Sequence, residues 1–399
     1  MEATNPAMRS EPVTRFAGWP FAILLGVIVF LSRWILTVPV YFVDGPGLVA
    51  AIRSGIYVIQ PPGYWLLAVT AGLFPDPETG LAVLNALFSA LGAVSFYFLC
   101  RRLVDESLAR LGALAYTTIF FAWFAGSIHS SYASQLLAAP LLFLSFLRYA
   151  ERPTVIRLSA CAAVFAIGAG FRPSDGAFLT PVFCYLGWRF VRTKSHRGLL
   201  LGIAAALCLA WYIPTRLALG ENAAAGQAGS LAVECSILLA GITAGSVANI
   251  IRVVVPLAIA CVSLVPAIWY LRSDWRLPLF LWTAPGVAFL LLIYMADATY
   301  LCFASGAFVL AAVLSTRRKF ALAALATCVF LNTSFFLFAR PVPGGTAPAA
   351  LVINYYAVKY TRFGLEQRWM QIITDALRDG ISYPANRMAP KTTGSPRSN

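Results

Sequence analysis

Charge is what this 399-residue chain has least of: 12% of its residues are charged, 60% are hydrophobic, and the mean hydropathy is +0.76. Soluble domains run to about 25% charged. Too few polar side chains remain to cover a water-facing surface, which excludes a soluble enzyme, a nucleic-acid-binding module and a disordered protein. Histidine is nearly missing, with His129 and His196 far apart. The eight cysteines are scattered and none pair at CxxC spacing, so neither a zinc site nor a disulfide framework is indicated. Lysine is scarce, 4 against 26 arginines, and with abundant alanine this suggests a GC-rich bacterial genome. No tandem or inverted repeat stands out, which counts against a transporter built from pseudo-symmetric halves.

Long apolar runs are what the chain does have. A helix needs about 20 apolar residues to cross a bilayer. Runs between charged punctuation predict spans at 19–42, 80–100, 110–128, 132–149, 156–171, 176–191, 198–215, 248–271, 277–295, 300–315 and 320–338. The expected fold class is an all-α polytopic membrane protein of about 11 transmembrane helices. Residues 1–18 form a polar N-terminal segment, 19–338 the membrane module, and 339–399 a polar tail ending in a Thr/Ser/Pro stretch of disordered composition. The first run, Ala17 to Val43, is too long for a cleaved signal peptide.

The +14 net charge orients the chain rather than naming a partner, because cationic residues gather in short cytoplasmic loops. With the N-terminus inside, seventeen Lys or Arg fall on the cytoplasmic side. Only Arg53, Arg172, Arg216 and Arg252 fall in outer segments before the tail. Three outer segments are long: 44–80, 217–247 and 340–399. The first holds two short apolar stretches, Leu48 to Ile52 and Tyr64 to Val69, parted by Pro61-Pro62-Gly63. Each is too short to span, and both are expected to lie in the membrane interface.

Ionisable groups at membrane depth cost at least about 2.5–3.5 kcal/mol, so each invites a functional reading. Asp44 follows the first span in Tyr41-Phe42-Val43-Asp44-Gly45-Pro46; it is either a catalytic acid or the cap of the next short helix. Arg172 and Asp175 interrupt an apolar stretch, as a local ion pair at a tight turn or as an outward-facing anion site. Arg33, within the first span, either snorkels to headgroups or faces inward and holds a lipid phosphate. Arg53 reads as a headgroup anchor or a substrate ligand. Trp65, Tyr64, Trp123, Tyr132, Trp211, Tyr212 and Tyr300 read as interface belt. Acids and arginines thus gather at one face, beside a structured outer loop, an arrangement that suits an enzyme acting on a lipid-linked anionic substrate without identifying the reaction.

Leu31-Ser32-Arg33-Trp34, Asp44 closing the first span, a short helix ending at Gly55, and Gln60-Pro61-Pro62-Gly63-Tyr64-Trp65-Leu66-Leu67 resemble the GT-C glycosyltransferases. More narrowly, they are similar to bacterial relatives of the dolichyl-phosphate-mannose protein mannosyltransferases. The span Leu84 to Ala93 that ends in Arg101-Arg102-Leu103, and the broken span Gly168 to Ser174, also look like that family's. The resemblance covers about residues 20–190. Three positions depart from it: Gly45 where a second acid often stands, Gln60 where His or Arg does, and Asn85 where Arg does.

The resemblance implies a sugar on a polyprenyl phosphate as donor, a glycan, lipid or protein acceptor, membrane lipid as surroundings and no nucleic acid. Asp44 would be the general base, and Arg172 with Arg33 or Arg53 would stabilise the leaving phosphate. Gln60 and Tyr64 would hold donor sugar or phosphate, and Asp175 would accompany Arg172. No cofactor is implied; a divalent metal would need acids beyond Asp44, for which Asp76 and Glu78 are the candidates. The location implied is a bacterial inner membrane with a periplasmic site. The rival readings are a flippase or transporter of lipid-linked substrates, and a catalytically inactive homologue.

Overall fold

A computed structural model describes residues 18–37, 44–55, 64–219, 257–292 and 301–339. The segments 1–17, 220–256 and 340–399, with the roles expected of them, lie outside the described residues. Helices account for about 86% of the structure, and no strand forms among the described residues. In order they are α1 (Trp19–Ile35), α2 (Asp44–Arg53), α3 (Trp65–Gly72), α4 (Pro77–Arg101), α5 (Glu106–Thr118), α6 (Phe120–Ser127) and α7 (Ser134–Glu151). Then follow α8 (Val155–Phe171), α9 (Pro173–Phe190), α10 (Lys194–Leu219), α11 (Leu257–Ile268), α12 (Ser273–Leu292), α13 (Cys302–Val313) and α14 (Arg318–Ala339).

Each apolar run expected to span contains helix among the described residues; 38–42, 248–256 and 293–300 lie outside them. By length and hydropathy three of the helices can cross a bilayer alone, namely α4, α10 and α14, and α5 with α6 makes a fourth as a pair bent by 60°. The fold is therefore helical and membrane-spanning, with three or four crossings by length and composition among the described residues.

Several helix starts are written locally. Asp76 precedes Pro77 and accepts the Thr79 N–H at 3.0 Å, capping α4. Asp105 caps α5 through the Leu108 N–H, and Thr154 caps α8 through the Arg157 N–H. Each cap satisfies a donor that the first turn leaves without an intrahelical partner.

The centre of the molecule is α4, packed between α1, α7 and α5. In its apolar window 72% of residues are buried, against 17% in α10 and 33% in α14; the latter two present most of their surface to lipid. One face of α1 buries Ala22, Leu25 and Val29 while Ile23, Leu24, Val27 and Ile28 are exposed, the pattern of a helix at the rim of a bundle. Close approach depends on small residues. A Cβ at Gly92 would sit 2.5 Å from the Leu136 carbonyl oxygen, so α4 and α7 meet backbone to backbone there.

The two stretches of the first outer loop do become helices, α2 and α3, but they are not simply laid in the interface. Leu48, Val49 and Ile52 of α2 and Leu67, Ala68 and Ala71 of α3 are buried with Leu81, Leu84 and Phe88 of α4 in a second, smaller core. Phe88 meets Phe171, the last residue of α8, edge-on at 4.8 Å. The loop is thereby docked onto the same end of the bundle at which α8 stops and α9 starts.

Candidate active site

Two interruptions of the helical bundle, each governed by an arginine, shape this end of the molecule. The first lies between α8 and α9. Arg172 leaves the helical conformation (φ −148°, ψ 105°) and Pro173 restarts it, since proline has no N–H to extend α8 and fits the first turn of a new helix. Arg172 is 1% exposed and Asp175 2%. The Arg172 Nε donates to Ser174 Oγ at 2.8 Å, its Nη1 donates to Ser131 Oγ at 3.0 Å, and Nε stands 3.5 Å from Asp175 Oδ1. Its guanidinium lies over the Tyr132 ring at 4.1 Å. Asp175 accepts from Ser134 Oγ at 3.0 Å and from Gln135 Nε2 at 2.7 Å, and the Gln135 Oε1 accepts from Cys302 Sγ at 2.8 Å. The network ties α7, α8, α9 and α13 together.

The second interruption divides what reads in sequence as one span, 110–128. Ile119 (φ −51°, ψ 124°) separates α5 from α6. Lipid cannot satisfy the backbone groups freed at such a break, so the protein must. The Thr117 carbonyl accepts from Arg33 Nη2, and the Phe120 N–H donates to Asn332 Oδ1 at 3.2 Å. Asn332 in turn donates to the Ala260 carbonyl at 2.9 Å. Arg33 is 3% exposed and lies 4.1 Å from the Trp123 ring centre. It faces the bundle rather than snorkelling outward, and its cation sits at the C-terminal end of α5, where the helix dipole favours positive charge. Among the described residues no carboxylate pairs with it.

Around Arg33 the polar groups are incompletely matched. Asn85 donates to the Ile128 carbonyl at 2.7 Å, and Gly126 leaves room for Ser89 and the stem of Arg33, which a Cβ would meet at 2.3 and 3.1 Å. Yet Arg33 Nε, Trp123 Nε1, Asn85 Oδ1 and His129 Nδ1 are buried without a hydrogen-bond partner. Unmatched buried polar atoms are rare in folded proteins, and four occur along this one stretch.

The remaining expected residues divide clearly. Asp44 is the first residue of α2; its side chain, like all of Gln60, lies outside the described residues. Arg53, at the end of α2, is exposed and pairs with Asp76 at 3.2 Å and with Glu78 at 3.1 Å. The Thr79 N–H and then Arg53 hold the Asp76 carboxyl below the ordinary carboxylate range. Both acids considered for a metal are thus engaged by Arg53, and no group of three metal-ligating side chains forms among the described residues. Tyr64 stands just before α3 and packs on the smaller core. Trp123 and Tyr132 are seats for the buried arginines Arg33 and Arg172. Sequence reasoning passed over Ser131, Ser134, Gln135 and Asn332; the signal available was polarity inside apolar runs.

A docked outer loop and buried arginines at the breaks of membrane-spanning helices define a multi-pass membrane protein with a polar site at one end. Residues 60–217 match the family described as Dolichyl-phosphate-mannose-protein mannosyltransferase. The match spans less than half of the chain and bears out the resemblance read from the sequence. It supports a membrane glycosyltransferase of the GT-C type, and in general terms a lipid-linked sugar donor with a glycan or protein acceptor. It takes in Gln60, Tyr64, Arg172 and Asp175 and begins after Arg33, Asp44 and Arg53. No curated protein matches the chain significantly.

Proposed function

We propose that this protein transfers a sugar from a polyprenyl phosphate to a glycan, lipid or protein acceptor, with inversion, at the periplasmic face of a bacterial inner membrane. The observation that carries the reading is Arg33: a buried guanidinium with no carboxylate among the described residues, at the bundle end onto which the first outer loop folds. An unpaired cation at membrane depth is costly, and a donor phosphate supplies the missing charge.

In this reading Asp44 accepts the proton of the acceptor hydroxyl or amine as that group attacks the anomeric carbon. The bond from the anomeric carbon to the phosphate oxygen breaks on the opposite side, and its electron pair leaves on the phosphate. Arg33 meets that charge, with Arg53 at the rim and Gln60 and Tyr64 holding the donor. Arg172 and Asp175 already satisfy one another and their serine and glutamine neighbours, so they serve by holding α7, α8 and α9 in place. The seventeen-to-four arginine and lysine bias supports a cytoplasmic N-terminus, and eleven spans complete the topology.

The test is turnover by purified full-length chain in lipid vesicles, offered a panel of polyprenyl-phosphate sugars and acceptors, with free polyprenyl phosphate as the readout. Wild-type turnover that Asp44→Asn abolishes, with the variant still folded, is the expected outcome. Equal turnover in both would move the base elsewhere. No turnover with any donor and acceptor would sink the transferase reading in favour of a transporter or an inactive homologue.

A further inference from the structure

At the opposite end of the bundle, α4, α7 and α8 finish or begin beside one another. Arg102 caps the end of α4, Arg148 lies in the last turn of α7, and Arg157 in the first turn of α8. They are linked: Arg157 Nη1 donates to the Arg148 carbonyl at 2.6 Å, and Arg102 pairs with Glu151. Glu151 is the one carboxylate in ion-pair contact with this group among the described residues. Three cations thus share one carboxylate, and two positive charges stay uncompensated. Neither Arg148 nor Arg157 has a carboxylate partner among the described residues. Burial first, and then the Arg148 and Arg157 charges, lower the Arg102 pKa, as expected of crowded like charges.

Two features say what neutralises them. Val155 and Ile156, the first residues of α8, are 51% and 83% exposed and present apolar surface to lipid next to the arginines. The guanidiniums come from the ends of α4, α7 and α8, with α7 packed against both of the others, and form a cationic cluster at one end of the bundle. A topology signal requires only positive charge in a loop; it does not require arginines from three helix ends to converge.

We propose that Arg102, Arg148 and Arg157 bind the phosphate of an anionic phospholipid, with its acyl chain against Val155 and Ile156. Basic recesses between spans hold anionic headgroups in this way, and guanidinium forks suit phosphate oxygens. The site is separate from the proposed donor site and independent of the transferase reading.

The experiment places full-length protein in phosphatidylcholine vesicles with or without phosphatidylglycerol and counts retained phosphatidylglycerol by native mass spectrometry. Wild type is expected to retain it, and Arg148→Gln/Arg157→Gln to lose retention by roughly tenfold or more. Arg192→Gln/Arg276→Gln removes the same charge from the same face and is expected to retain the lipid. Arg148→Lys/Arg157→Lys, which keeps the charge, is expected to hold most of it and so separates loss of charge from loss of fold. Equal losses in the two glutamine pairs would mean diffuse attraction and would overturn the site, as would undiminished retention in Arg148→Gln/Arg157→Gln.

Discussion

Arg33 and Arg172 occupy parallel positions and differ in one respect. Each is buried at an interruption between helices, and each lies 4.1 Å from the centre of an aromatic ring, Trp123 for one and Tyr132 for the other. Arg172 has Asp175, 3.5 Å away, and a ring of hydroxyl and amide partners. Arg33 has a backbone carbonyl, its neighbour Ser32, and a set of unmatched atoms around it. A closed network of this kind fixes helices; an open one has capacity left for an anion. The difference separates scaffold from site where sequence position alone does not.

Three substitutions sharpen or break that contrast. Arg172→Met should be the most damaging, costing about 3–5 kcal/mol, because it strands the buried Asp175 carboxylate. Arg172→Met/Asp175→Leu should recover much of that loss, as thermal unfolding in detergent would read. If the double variant is no better than the single, the network is not the scaffold described here.

Arg33→Met strands no described carboxylate. It should cost about 1–3 kcal/mol for the Thr117 carbonyl left unmatched, while donor KM rises far more than stability falls. An unchanged donor KM would break the comparison from the other side.

The smallest effect is expected at a water-facing pair. Against burial, which raises it, bonds from Ser107, Arg318 and the Leu108 N–H bring the Asp105 pKa from 3.8 down to about 2. Its folded-state pKa is depressed, so its contribution is complete above pH 3.8 and lost as pH falls toward 2. Asp105→Asn should flatten that acid-side decline by less than about 1 kcal/mol. A melting series across this pH range checks it.

How much of this was legible beforehand follows from what each feature depends on. Helical character and membrane residence follow from apolar run length, a local property, and both appear in the sequence. The break at Arg172 is also local: an arginine and a proline interrupt an apolar run. The break at Ile119 left no such mark, because Thr117-Thr118-Ile119 contains neither glycine nor proline. Its stability comes from Arg33 and Asn332, far off in the chain, and residue spacing carries no trace of that. The docking of α2 and α3 on α4 was missed for a related reason. Two short apolar stretches show that a face will be buried, not which surface will cover it. Asp44 was singled out by its place at the end of the first span and given the role of base by family resemblance; it stands upstream of the matched residues.

The bond between the Phe120 N–H and Asn332 joins residues 212 positions apart. A chain made from its N-terminus and inserted helix by helix reaches Asn332 only with its last described helix. Until then the bend at Ile119 has only one of its two partners: Arg33 of α1 can meet the Thr117 carbonyl, but the Phe120 N–H has no acceptor. The geometry of an early span is therefore completed only when α14 is made, and a ribosome stalled before α14 would leave the Phe120 N–H at the bend without its acceptor.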